Sequence, residues 1–181
     1  MDASTLEKDD VVYYAAVSAD GYIATPDGGV GWLESYFIPE LGFNDFIARV
    51  GGVIMGRTTY DGIAVHGKWP YRGKPGVVLT HRPLDGLDAP VAAVDGTPGE
   101  ALAAVRANGP GPYWIVGGAD AAAQFLQSGA MTRADMFVIP ELLGSGIPAF
   151  RNDTVTGLDL IGTQTYPNSV VRLSYRPRAG R

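Results

Sequence analysis

The sequence contains no cysteine. Disulfides, thiolate zinc sites, iron–sulfur clusters and cysteine nucleophiles are therefore excluded. Histidine is almost as scarce, with only His66 and His81, so a multi-histidine metal site is excluded as well. No Asp/Glu group has the loop spacing of a carboxylate-held cation, and no metal is expected. No apolar run approaches the roughly 18 residues that a membrane span needs. Positive charge is short: 14 basic residues stand against 19 acidic ones, a net charge of −5. That balance does not build the phosphate-neutralising surface of a general nucleic-acid binder. Met1 to Asp10 is polar and acidic and lacks the basic-then-apolar order of a signal peptide, so a cytoplasmic protein is expected. The ends, 1–10 and 177–181, are expected to be flexible.

The remaining composition is that of a globular domain. The 181 residues are 46% hydrophobic, enough for one compact core, and no linker or repeat divides them. Val11 to Ser18 reads as a buried strand and Ala19 to Trp32 as a long glycine-rich loop. Leu41 to Val50 suits a short helix, Gly51 to Met55 a strand, and Arg57 to Ile63 a helix start. Gly76 to Thr80, Val91 to Val94, Tyr113 to Val116 and Ala134 to Pro140 read as further strands. Thr97 and Glu100 form a capping box that predicts a helix to Asn108, and Ala119 to Ser128 a second one. Leu158 to Tyr166 and Ser169 to Tyr175 alternate as a terminal hairpin. The order predicts an α/β fold with a mostly parallel central sheet and an antiparallel C-terminal hairpin.

Four short segments could carry chemistry. In Val53 to Tyr60 a strand runs into Gly56, Arg57, Thr58 and Thr59; free N–H groups at a helix start attract anions, and Arg57 adds a forked cation. The plainer reading is an ordinary turn with Thr58 as N-cap. In Tyr113 to Ala119, Val116, Gly117, Gly118 and Ala119 repeat the strand–glycine–helix pattern, and paired glycines let a diphosphate approach the backbone. Thr80, His81 and Arg82 end a strand with the donors and positive charge that suit a phosphomonoester. Ala16, Val17, Asp20 and Ile23 surround a strand end with small residues and an acid in a glycine turn, leaving room for a flat ring.

In this order the segments resemble the dihydrofolate reductase-like superfamily, and most of all the reductase domain of riboflavin biosynthesis. Ser18-Ala19-Asp20-Gly21-Tyr22-Ile23-Ala24 is similar to that domain's opening, and Ile54-Met55-Gly56-Arg57 with Thr59 and Tyr60 to its second motif. Val116-Gly117-Gly118 and Leu142 to Phe150 resemble two later ones. The resemblance implies a three-layer fold and an NADPH-dependent reductase of the 5-amino-6-(5-phosphoribosylamino)uracil type. It implies diphosphate between Gly56–Thr59 and Gly117–Ala119, the 2′-phosphate near Arg57 and Thr80–Arg82, and nicotinamide near Ala16, Val17 and Ile23. Asp20 and Glu34 are the candidate proton donors, on the expectation that burial beside the ring raises a carboxyl pKa. Glu34 follows Trp32 more closely than the acid of dihydrofolate reductase follows its Trp. Lys68, Arg72 and Lys74 are candidates for a substrate phosphate. A dihydrofolate or pterin reductase and an NADPH-binding module without turnover stand as alternatives. The apolar late strands, Met136 to Ile139 and Val170 to Tyr175, suggest a homodimer.

Overall fold

A computed structural model describes residues 5–178. In chain order the strands are β1 (Val11–Ser18), β2 (Tyr22–Ala24), β3 (Gly52–Gly56), β4 (Gly76–Leu79), β5 (Val91–Val94), β6 (Tyr113–Gly117), β7 (Arg133–Ile139), β8 (Ile147–Pro148), β9 (Leu158–Thr165) and β10 (Val171–Pro177). The helices are α1 (Phe43–Arg49), α2 (Arg57–Ala64), α3 (Pro98–Arg106) and α4 (Ala119–Gln127). Eight strands form one sheet in the order β5-β4-β3-β6-β1-β7-β10-β9. The first six of that order run parallel, while β10 lies antiparallel to both β7 and β9. The predicted mostly parallel sheet with its antiparallel hairpin is thus observed.

Burial on both faces explains why the central strands read as continuous apolar runs. Val11 and Tyr13 of β1 enter a core with Ala101, Leu102 and Val105 of α3 and Phe125 of α4. Val12 enters a second core with Phe46 and Ile47 of α1 and Tyr60 of α2. Helices therefore cover both faces, which makes three layers. The α3 cap forms as expected: Glu100 N–H donates to Thr97 Oγ1 at 3.3 Å, and Thr97 N–H to Glu100 Oε2 at 2.7 Å. No described helix is long and apolar enough to cross a membrane.

Three elements differ from expectation. The segment 19–32 is not one loop, because β2 pairs antiparallel with β8 across more than a hundred residues. Short 3₁₀ turns follow at Gly31–Tyr36 and Pro39–Leu41. The helix expected from Leu41 begins at Phe43, because Gly42 has φ of 71° and breaks the turn before it. Of the ends expected to be flexible, residues 1–4 and 179–181 lie outside the described residues. Thr5 O accepts from Arg133 Nη1, and Arg178 pairs with Asp159 at 2.7 Å.

Candidate cofactor and active site

The third and fourth strands from the β5 edge of the sheet, β3 and β6, deliver two glycine turns to the same place. β3 and β6 are parallel neighbours with Met55 opposite Gly117, so their following helices start side by side. A Cβ placed on Gly118 would lie 3.6 Å from Thr59 Oγ1, and one on Gly56 would lie 3.9 Å from Gly118 N. Gly56 and Gly118 are the N-cap positions of α2 and α4, and neither helix has a side-chain cap. Thr58 is therefore not the N-cap that the plainer reading assigned. α3, by contrast, is fully boxed. The two helix starts thus keep first-turn N–H groups free of side-chain acceptors, at the positive ends of two dipoles. Gly117 has φ of 132°, a conformation that side chains rarely adopt.

Thr80, His81 and Arg82 follow β4, the neighbour of β3, where Gly56 stands opposite Leu79. The Arg82 N–H donates to Thr80 Oγ1 at 3.1 Å, and His81 is exposed. Arg57 and Arg82 are brought together by a residue that the sequence reading missed. Asp61 lies 2.6 Å from Arg57 Nε and 3.6 Å from Arg82 Nη2. Arg57 Nη1 also donates to Pro83 O at 2.8 Å. The four-residue spacing of Arg57 and Asp61 on a predicted helix is the signal that could have found the pair.

The expected nicotinamide residues divide between the sheet faces. Ala16 packs beside Phe137, Trp32, Leu33 and Tyr36, whereas Val17 and Ile23 belong to the opposite core. The Trp32 indole N–H is buried and has no hydrogen-bond partner among the described residues. Arg72 donates to Asn44 of α1 at 2.6 Å, while Lys68 is exposed on the 65–75 segment.

Asp20 does not match its expected role. Its carboxylate accepts from Ser18 Oγ at 2.6 Å, Leu143 N at 3.1 Å and Gly144 N at 2.7 Å. The Ser18 hydroxyl, foremost, holds it below the usual carboxylate range; desolvation opposes this, and the Gly144 and Leu143 N–H groups add to the lowering. The raised pKa expected there is corrected to a lowered one, because hydrogen bonds to the charged form outweigh burial. Asp20 instead ties the β1–β2 turn to the loop before β8. This joins two motifs that are far apart in sequence. Glu34 sits on the 3₁₀ turn and is exposed, not buried beside a ring site as expected.

A separate cavity of about 200 Å³ opens between α1 and the β9–β10 hairpin, lined in part by Tyr14, Glu40, Asp45, Tyr166 and Arg172. It shares no residue with the expected cofactor set. Beneath it lies a buried ion cluster in which Asp135 binds both Arg133 and Arg172.

Residues 10–172 match the family model of the RibD C-terminal domain. The chain belongs to the RibD C-terminal domain family. An uncharacterized protein of Bacillus subtilis strain 168, YwjB, is 35% identical over 162 residues, which is 88% of this chain and 93% of that one. A crystal structure from Shewanella sp. PV-4, provisionally assigned to riboflavin biosynthesis, has a TM-score of 0.78 at 27% identity and covers 94% of this chain and 99% of its own. Two more distant structures share the fold. A Thermotoga maritima diaminohydroxyphosphoribosylaminopyrimidine deaminase/5-amino-6-(5-phosphoribosylamino)uracil reductase has a TM-score of 0.68 at 15% identity. The match covers 93% of this RibD-type chain and 56% of that protein. Enterococcus faecalis dihydrofolate reductase, complexed with NADP(H), has a TM-score of 0.68 at 16% identity, over 95% and 98% of the two chains. The predicted family and the dihydrofolate reductase-like fold are both met.

Proposed function

We propose that this RibD-type domain is an NADPH-dependent reductase acting on a ribosylamino-pyrimidine or a related small heterocycle. The observation that carries the reading is the pair of abutting, uncapped helix starts at Gly56–Thr59 and Gly117–Ala119. Two positive dipole ends with open N–H groups suit a diphosphate, and the adjacent Arg57 and Arg82 suit a phosphomonoester. NADPH fits this donor set and supplies a hydride when bound.

The chain's own groups bind, orient and protonate. The Trp32 indole N–H is a buried donor with no acceptor among the described residues, on the side of the sheet where Ala16 packs, and would meet a substrate carbonyl only if the 3₁₀ turn that carries it opened. Asp20 is a positioning residue that holds the β1–β2 turn against residues 142–144. Glu34 is the carboxyl group left to carry a proton, since Asp20 is held as a carboxylate by three donors. The two chains of a homodimer would pair through Leu173, Tyr175 and Leu160, which share one face of the hairpin; Leu160 is 56% exposed. Met136, Phe137 and Ile139 are buried within the chain and take no part.

The test is NADPH oxidation with a substrate panel containing 5-amino-6-(5-phosphoribosylamino)uracil and dihydrofolate. Turnover of the first supports the reading, and preference for dihydrofolate replaces it with folate reduction. NADPH binding without turnover of any member would favour the non-catalytic module.

A further inference from the structure

Arg57 stands in an unfavourable place for helix stability. It is the first residue of α2, where the positive end of the helix dipole repels a cation. Its partner Asp61 follows it by four residues, the weaker order for a helix ion pair. With Asp61 half-exposed to screening solvent, the pair contributes little to stability even though Arg57 is mostly covered. The arrangement is therefore not explained by the fold. Around it, two guanidinium groups share one carboxylate, which leaves one net positive charge at the ends of β3 and β4. Asp61 itself is 45% exposed, so a solute can reach it.

We infer that Asp61 sets the nucleotide preference of the site by competing with the phosphomonoester for Arg57 and Arg82. This rests on the NADPH reading above. Asp61 Oδ1 engages Arg57 Nε and Oδ2 faces Arg82 Nη2, which holds both cations in position. Pro83 O occupies Arg57 Nη1 as well, so the incoming phosphate meets an arginine that is already partly used. A phosphomonoester carries nearly two negative charges at neutral pH. The like charge of Asp61 beside it opposes binding, so the site discriminates less between NADPH and NADH than two unopposed arginines would.

The two variants of Asp61 separate charge from geometry. Asp61→Asn keeps an oxygen acceptor for Arg57 Nε and removes the charge, whereas Asp61→Ala removes both. Calorimetric titration of the full chain with adenosine 2′,5′-bisphosphate and with adenosine 5′-monophosphate reads the 2′-phosphate contribution alone. Asp61→Asn should bind the bisphosphate about tenfold more tightly, the worth of one unit charge at a half-exposed site. The monophosphate affinity should stay as it was. The gain should shrink as salt is raised, which a purely structural effect would not do. Asp61→Ala should gain less, because Arg57 loses its anchor. Circular dichroism spectra matching the parent show that both variants fold. A bisphosphate-to-monophosphate ratio that is unchanged or lower in Asp61→Asn overturns the inference and leaves the NADPH reading standing. Failure of the parent to bind either nucleotide or NADPH overturns both.

Discussion

Replacing Asp135 by Asn should cost this domain a large part of its stability. Asp135 is fully buried and accepts from Arg133 Nε at 3.0 Å to each oxygen and from Arg172 Nη2 at 2.7 Å. Arg172 leans on it heavily: its Nε has no partner among the described residues, and its guanidinium otherwise lies over the Phe137 ring at 5.6 Å and near Tyr166. Burial works most strongly against the charge on Arg172, but the charge and hydrogen bond of Asp135, with smaller help from Tyr14 and Tyr166, together outweigh it, and the net shift of its pKa is upward. An asparagine would leave two buried guanidinium groups facing a neutral amide, one end of which is itself a donor. Breaking a buried pair in this way costs about 3–5 kcal/mol, against the roughly 5–15 kcal/mol of a whole domain. In urea unfolding, with a slope of about 2 kcal/mol per molar, the midpoint should fall by about 2 M. Arg172→Met should lose less, because Asp135 keeps its two bonds from Arg133. A fall of less than about 0.5 M for Asp135→Asn, or a larger one for Arg172→Met, would refute the reasoning.

Three further outcomes are expected. The depressed pKa of Asp20 contributes stability that is present above its unfolded value and is lost as pH falls through the folded one; Ser18→Ala should raise that carboxyl and bring the acid-side loss to higher pH, as read by carbon NMR titration. Thr97→Ala removes the side-chain half of the α3 capping box, leaves the bond from the backbone N–H of residue 97 to Glu100 Oε2, and should cost about 1 kcal/mol in urea unfolding, while NADPH binding stays unchanged. Light scattering at micromolar concentration should give twice the mass of one chain; 19.1 kDa would exclude a stable dimer through the hairpin.

Much of the fold was legible because the parallel strands are buried on both faces. Val53 to Met55 and Tyr113 to Val116 are apolar throughout and end at glycines, and Thr97 with Glu100 marks a helix start by local chemistry alone. The β2–β8 pairing was not legible. Two strands of three and two residues, more than a hundred apart, carry no periodicity to detect. The cofactor turns were readable as glycines after strands, but their abutment depends on which strands are neighbours. Asp61 is legible only through its four-residue spacing from Arg57 along α2, a signal that the ligand-like character of Arg57 at a helix start masks. Asp20 was read as an acid near a ring, whereas its three donors come from Ser18 and from residues 143 and 144, and the latter only folding brings near.

The central claim is tested most directly by titrating the unmutated chain with NADPH and with NADH and following the fluorescence of its three tryptophans. The account predicts saturable binding of both, tighter for NADPH, and a narrower difference once Arg57 or Arg82 is replaced by Ala. Equal affinity for the two nucleotides, or no saturable binding of either, would contradict it.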